Sequence, residues 1–403
     1  MALVAPSTGC EVEIHDYACL VTSPSNFTRL PKKLPGGLAI PAICGLLLLY
    51  AGSNALPASP PDPEASDIHN GRGSAYYENR EYTLAVASFT EAIRLNPDSD
   101  YAYINRSASY IMTGDYDRAI ADCNEAIRLN PKALFAYANR GDACVKQGNY
   151  DSGIADYTEA IRLNPKSDTA FTSRGWAHFK KGDGVDAMAD FAEAIRLNLK
   201  NDLARVYRGE VYVSLGDSDR GMADFAEAIR LNPKNARAFD NRGSVFGTRG
   251  DYDQAIADFT EAIRIDPKNG NAHTNRGGAY AKKTDYARAA ADFAGAIRLN
   301  PNDARSNDQI AWLLAVCPDA TVRNGVKAVQ YATKSCELSD WKNPQTLDTL
   351  AAANAETGNF AAAVKWENRC LELKPTWEKE AEARRRLALY LQKQPYHEGK
   401  ANN

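Results

Sequence analysis

Apolar residues in most of the chain recur every three or four positions, which is the spacing of one face of an amphipathic helix. One such segment runs over 101–113 and the next over 117–129. Gly114 separates them, and glycine tolerates the left-handed backbone that ends a helix. Asn130 and Pro131 end the second segment, and a proline can open the helix that follows. The pattern therefore predicts two helices joined by a tight turn.

This helix pair repeats with a period of 34 residues. The string Glu-Ala-Ile-Arg-Leu-Asn-Pro begins at Glu91 and again 34 residues later at Glu125. Exact or slightly altered copies begin at the same interval at Glu159, Glu193, Glu227, Glu261 and Gly295. One helix pair cannot bury its apolar faces alone, so the pairs must stack on one another. The sequence therefore predicts an all-α repeat fold.

Within each unit, counted from Ser66 as position 1, certain positions hold one kind of residue. Position 8 is small: Gly73, Ser107, Gly141, Gly175, Gly209, Gly243 and Gly277. Position 27 is always alanine: Ala92, Ala126, Ala160, Ala194, Ala228, Ala262 and Ala296. Position 24 is a filler, mostly aromatic: Phe89, Cys123, Tyr157, Phe191, Phe225, Phe259 and Phe293. In these residues the chain resembles the tetratricopeptide repeat (TPR) family.

The resemblance implies a right-handed α-solenoid of stacked helix-turn-helix repeats. Residues 66–303 would form seven repeats, 304–377 two degenerate TPR-like helix pairs, and 378–393 a capping helix. The last helix has its acids first and Arg384-Arg385-Arg386 later, as the helix dipole favours. The alternative for it is a basic helix that docks a partner. Residues 394–403 are expected to be a disordered tail.

The N-terminal part has a different composition. Residues 1–36 carry a basic cluster at Arg29, Lys32 and Lys33, and residues 37–56 contain an apolar block followed by small residues. This order predicts a signal peptide or an uncleaved signal anchor, with membrane anchoring through 38–56 in the second case. A cytoplasmic protein with an apolar segment is the third interpretation. Residues 57–65 are a proline-rich linker, and the true start of translation is open because residues 1–36 are long for such a flank.

Composition and motifs exclude several function classes. The net charge of −3 offers no field for a phosphate backbone, so nucleic-acid binding is not expected. The cysteines are scattered, without the paired spacing of zinc or redox sites. Neither a nucleophile elbow nor a phosphate-binding glycine loop occurs. We therefore expect no catalytic residue, no cofactor and no metal.

Two repeated charges predict structural ion pairs. Position 7 is arginine in all seven units, and position 23 is aspartate in six. Pairing within units gives Arg106–Asp122, Arg140–Asp156, Arg174–Asp190, Arg208–Asp224, Arg242–Asp258 and Arg276–Asp292. Pairing between units would leave more residues without a partner. The alternative is that the arginines form a ladder for an acidic ligand.

The family places positions 2, 5, 9 and 12 of each first helix on its concave face. The peptide groove so implied contains Tyr101, Ile104, Phe135, Trp176, Phe179, Val206, Glu210, Arg237 and Asp240. These side chains could instead belong to the core. A second alternative is a clamp for a partner's C-terminal carboxylate, for which unit three offers Asn139; the lysine that such a clamp requires is missing.

These features predict a non-catalytic scaffold that binds a protein or peptide segment of unknown identity, exported or anchored facing outward. A self-associating structural scaffold is one alternative, since repeat stacks can associate at their ends. An enzyme with an unrecognised site after residue 304 is another.

The order of segments around 38–56 generates a prediction about the mature protein. We expect it to lack the residues before about Ala55, since a cleavable signal combines a basic flank, an apolar core and small residues. N-terminal sequencing of the native protein measures this directly. An intact chain beginning at Met1 in the cytoplasm would contradict the prediction.

Overall fold

The computed structural model describes residues 61–399; the predicted signal or anchor segment at 38–56 lies outside them. All regular elements of the described residues are helices. Two compact bodies are formed, over 61–198 and 199–399. Among the described helices, none combines the length and apolar character that a membrane span requires.

The first body consists of four helix pairs. Each helix packs against the one before it, and successive first helices, such as α3 with α5, also lie side by side. The helices are α1 (Pro63–Glu78), α2 (Tyr82–Leu95), α3 (Asp100–Thr113), α4 (Tyr116–Leu129), α5 (Leu134–Lys146), α6 (Tyr150–Leu163), α7 (Asp168–Lys181) and α8 (Gly184–Leu197).

The second body contains five further pairs and a final helix, stacked in the same way. The helices are α9 (Asp202–Ser214), α10 (Ser218–Leu231), α11 (Ala236–Arg249), α12 (Tyr252–Ile265), α13 (Gly270–Lys282), α14 (Tyr286–Leu299), α15 (Ala304–Val316), α16 (Gly325–Leu338), α17 (Pro344–Glu356), α18 (Phe360–Glu372) and α19 (Trp377–Leu391).

Local sequence explains where the helices begin and end. Ser99 caps α3 by accepting a hydrogen bond from the Ala102 amide, and Asp115 caps α4 in the same way. Gly114 ends α3 with a φ of 80°, a left-handed value that glycine adopts without a steric penalty. Its amide donates to the last carbonyls of α3, so the chain turns directly into α4.

The glycine at position 8 brings the two helices of a pair together. A Cβ atom built on Gly209 would lie 2.6 Å from the Phe225 ring, closer than real Cβ contacts allow. Phe225 is buried, packed beside Val206 and Ala228. The small residue and the aromatic filler therefore form one contact, which recurs from pair to pair.

The position-7 arginines bond the aspartate of their own unit. Arg174 donates from Nε to Asp190 Oδ2 at 2.9 Å and from Nη2 to Oδ1 at 2.7 Å. All six pairs have this two-bond geometry, with Nη2–Oδ1 distances of 2.7–2.8 Å. The aspartates are buried, so each carboxylate depends on its arginine.

The six arginine–aspartate pairs, called the ladder below, also connect neighbouring units. Arg174 Nη1 donates to Thr158 of the preceding second helix at 3.1 Å. Arg106 and Arg276 make the same bond to Thr90 and Thr260. One guanidinium thus holds both helices of its own unit and the second helix of the unit before it.

We expect Arg174→Ala to lower the free energy of unfolding by about 1–3 kcal/mol because it strands the buried Asp190. The Arg174→Ala, Asp190→Ala double variant should lose much less than the sum of the single losses. Chemical denaturation of the four proteins measures the coupling. Arg196→Ala is the matched control: its pair with Glu193 is exposed to solvent, so its loss should change stability much less than the loss of Arg174. Additive losses at Arg174 and Asp190 would refute the pairing.

Candidate functional site

The first helices of the body 61–198 present a row of aromatic side chains. Trp176 and Phe179 lie one turn apart on α7, with ring centroids 5.7 Å apart. Both are half-buried, and the Lys180 ammonium lies 5.5 Å from the Trp176 ring centroid. Phe135 on α5 is also half-buried, and Tyr101 on α3 is 53% exposed. Since α3, α5 and α7 are neighbours, these aromatic rings belong to one row of helices.

Two residues expected in the groove lie in the core instead. Ile104 is 7% exposed and packs with Ala126 and Ala136, and Val206 is 0% exposed. Position 5 therefore faces the neighbouring helices when it carries a branched apolar side chain. The partly exposed members in this body are therefore Tyr101, Trp176, Phe179 and Phe135, of which Phe135 also packs against the Ile104 cluster.

In the body 199–399 the expected groove residues form a charged network between α9 and α11. Arg237 donates two hydrogen bonds to Glu210, at 2.6 and 2.8 Å, and Asn241 donates a third at 2.6 Å. The guanidinium also lies 4.8 Å from the Tyr207 ring centroid. Arg237 and Glu210 thus hold each other in place, and neither is a free charge.

Asp240 on α11 and Asp142 on α5 are carboxyl groups with raised pKa values. Burial raises the pKa of Asp240 to about 6, although Asn275 donates to it at 3.1 Å. Burial also raises the pKa of Asp142 to about 6, and the Tyr157 hydroxyl donates to it at 2.5 Å. We did not predict Asp142 from the sequence. The available signal was Tyr157, the single tyrosine at position 24, whose buried hydroxyl needs a partner.

The asparagines of position 6 join neighbouring units. Asn139 is buried and donates to the Ile104 carbonyl and the Ser107 hydroxyl. Asn105 donates to Asn70 at 3.1 Å. The side chains that a carboxylate clamp would need therefore serve packing between units.

One group of described residues brings three potential metal donors together. Donor atoms of His178, Asp183 and Asp186 lie within 4.8 Å of one another. The Lys181 ammonium, however, contacts Asp183 at 3.1 Å and Asp151 at 3.0 Å. A cation of the protein itself thus already neutralises Asp183, one of the three potential donors.

Family models for the tetratricopeptide repeat match residues 58–133, 141–182, 186–236, 206–269 and 241–304, which together make up more than half of the chain. This chain belongs to the tetratricopeptide repeat family. No curated protein matches it at a significant level.

Solved TPR structures are similar to this chain. A tetratricopeptide repeat protein from Parabacteroides merdae is 19% identical with a TM-score of 0.50, and the match covers 61% of this chain and 97% of that one. PilF from Pseudomonas aeruginosa is 15% identical with a TM-score of 0.46, covering 52% and 95%. YrrB, described as a TPR protein with an unusual peptide-binding site, is 26% identical with a TM-score of 0.36, covering 48% and 97%. The Parabacteroides structure shares the TPR fold.

The last TPR-like pair and its capping helix enclose a second charged group. Arg386 of α19 is buried and donates to Asp348 of α17 at 2.7 and 2.9 Å. Glu367 of α18 is 0% exposed and lies 3.8 Å from Arg386 Nε. Burial and the nearby Asp348 charge raise the pKa of Glu367 to about 10, so it stays protonated at neutral pH. Arg386 therefore ties α19 to the stack from inside, and the basic run is not entirely a free docking surface.

Residues 394–399 also differ from expectation. The Glu398 amide donates to the Val316 carbonyl at 2.9 Å, and its carboxylate accepts from Trp312 Nε1 at 2.9 Å. His397 contacts Glu356 at 2.7 Å. The tail we expected to be disordered is thus ordered against α15 and α17 as far as residue 399, because polar partners on those helices receive it.

The pKa of Glu367 generates a prediction. Its value rises from an ordinary 4.5 in the unfolded chain to about 10 in the folded one. As pH increases through this range, the unfolded state loses the proton first, so stability falls. Glu367→Gln, an uncharged mimic of the protonated acid, should gain about 1–3 kcal/mol over wild type at pH 7 and almost nothing below pH 4.5. Urea unfolding across pH measures the difference.

Glu382 on α19, an exposed carboxylate 3.7 Å from Arg386 Nη1, serves as the control, since Glu382→Gln removes a charge beside the same arginine and should give no gain in stability at pH 7. A gain for Glu367→Gln that is equal at pH 4 and pH 7 would show that Glu367 is not protonated in the folded state.

Proposed function

We propose that this TPR protein is a non-catalytic scaffold that binds a peptide segment of a protein partner on the first-helix face of residues 61–198. The observation that carries the proposal is the row formed by Tyr101, Phe135, Trp176 and Phe179. A soluble fold buries most large aromatic side chains, and partly exposed ones grouped on one face are typical of binding surfaces.

The chemistry of the row indicates the kind of segment that fits. Trp176 and Phe179 form a pair one turn apart, and Tyr101 and Phe135 lie on the preceding first helices. An extended or helical peptide with two or three large apolar anchors suits aromatic side chains carried on neighbouring first helices. The scaffold function also agrees with a family whose repeats generally serve as interaction surfaces, while function itself depends on the site carried by the fold.

The proposal includes the location inferred from the N-terminal segment: the repeats act outside the cytoplasm, released or anchored through 38–56.

The alternative function, a self-associating structural scaffold, makes a different prediction. It requires the purified protein to form oligomers over the concentration range at which it is present. Light scattering and sedimentation of the full chain distinguish these functions, and a monomer that binds peptide favours the proposal.

We expect Trp176→Ala to weaken peptide binding by about 1–2 kcal/mol, roughly tenfold in Kd, because a half-buried anchor leaves contact with the ligand. The ligand is a peptide selected on the full-length protein from a random phage library. Titration calorimetry measures Kd, and circular dichroism measures the melting temperature of the same samples.

Phe191→Ala is the matched control, because Phe191 is a buried aromatic residue of the same body, packed on Gly175. It should lower stability by about 3–5 kcal/mol, whereas Trp176→Ala should leave melting almost unchanged. If Trp176→Ala melts like Phe191→Ala and its folded fraction binds normally, Trp176 is a core residue and the proposed surface is wrong.

A further inference from the structure

A cavity of about 310 Å³ lies within the body 199–399, on the first-helix side of its last pairs. Helices α13, α15, α17 and α19 contribute to its wall. Phe293, Leu313 and Val316 make one part of the lining apolar. Asp308, Trp312 and the Asp348–Arg386 pair make the other part polar, so the cavity is amphipathic.

Most polar groups of this wall are already paired. Asp348 accepts two hydrogen bonds from Arg386, and Glu398 accepts one from Trp312. Lys379, at the exposed rim, donates to Gln345 at 2.8 Å. These bonds leave little capacity for a further anionic ligand, because the buried cation of the wall already holds a carboxylate.

Asp308 differs from these groups. It is 5% exposed, its Oδ2 accepts a long bond of 3.2 Å from Gln345, and the Thr349 side chain also hydrogen-bonds its carboxyl group. Its Oδ1 atom is buried and has no hydrogen-bond partner among the described residues. A buried carboxyl oxygen without a donor is unfavourable, and a ligand that supplies a donor would stabilise it.

Trp312 lies one helical turn after Asp308 on α15, so both side chains are on the same face. The Arg386 guanidinium already lies 5.4 Å from the Trp312 ring centroid. The carboxyl group of Asp308 and the apolar wall therefore provide the complement to a long side chain with an apolar stem and a cationic end. We propose that this cavity binds the side chain of a lysine or arginine presented by a protein partner, with Asp308 accepting a hydrogen bond from its terminal nitrogen. The inference rests on the proposed function only for the source of that side chain.

The probes are N-acetyl-arginine amide, N-acetyl-lysine amide and, as an uncharged analogue, N-acetyl-norleucine amide. The readout is the indole N–H signal of Trp312 in ¹⁵N NMR spectra of the full chain, assigned with Trp312→Phe. We expect a saturable shift with at least one basic probe and none with the norleucine probe. Comparison of the arginine and lysine probes shows whether the cavity binds a guanidinium or an ammonium group.

Asp308→Asn should weaken binding of the basic probe by about tenfold or more, because the amide oxygen still accepts a hydrogen bond but no longer carries the charge that strengthens it. Gly278→Leu supplies a second test. A Cβ at Gly278 meets nothing within 4 Å, so the larger side chain should fill the cavity without disturbing the fold and abolish binding. Gly71→Leu, at another open helical glycine, is the matched control and should bind as wild type does.

An equal shift with the norleucine probe, or unchanged affinity in both Asp308→Asn and Gly278→Leu, would overturn the inference. Absence of any shift with both basic probes would do so as well. None of these measurements uses the selected peptide or Trp176. The experiments can thus refute the proposed cavity site without refuting the proposed peptide-binding surface, and they can equally give the reverse result.

Discussion

The close contact between position 8 and position 24 is the constraint on which each helix pair depends. A Cβ on Gly73 would lie 2.5 Å from the Phe89 ring, so the pair can adopt this spacing only if the first helix carries a very small residue. Unit two differs from the other units at both position 8 and position 24. It has Ser107 where the others have glycine and Cys123 where they have an aromatic ring, so the larger residue on one helix is matched by a smaller one on the other.

The ladder of arginine–aspartate pairs lies directly beside the contact between glycine and aromatic ring. Positions 7 and 23, which form the pairs, immediately precede positions 8 and 24, which form the contact. The glycine allows the helices to approach, and the approach brings the arginine within two-bond distance of the aspartate. Arg140 then extends the contact to Asn124 of the preceding second helix at 2.6 Å. Packing within a pair and packing between neighbours are thus fixed by adjacent residues, which is the basis of nearest-neighbour stability in repeat proteins.

Sequence alone predicted well those features whose partners lie within one unit. Helix ends, the turn at Gly114 and the arginine pairs repeat every 34 residues. Such a feature can be predicted from the residues of one unit, without information on the side chains of adjacent units. Burial of Ile104 and Val206 depends on the side chains of adjacent units, so position number alone did not reveal it. Asp308 and Glu367 belong to the last pairs, where the repeat pattern is weakest. The surroundings of these two carboxyl groups are formed in part by α19 and the tail, which have no counterpart in the other units.

The same division explains where binding chemistry can arise in this chain. Positions 7, 8, 23 and 24 form the contacts within and between helix pairs. Position 9 varies among alanine, aspartate, tryptophan, glutamate, serine and glycine without changing the helix pair. At Trp176 this freedom gives a half-buried ring on the surface. At Gly278 it removes a side chain, and the space opens toward Asp308 and Trp312 on the next first helix. A void beside a buried carboxyl group is ordinarily unfavourable, and the last arginine pair of the series, Arg276–Asp292, joins α13 to α14 beside it. The missing side chain at Gly278 therefore contributes to a ligand-sized space that α13, α15, α17 and α19 enclose together.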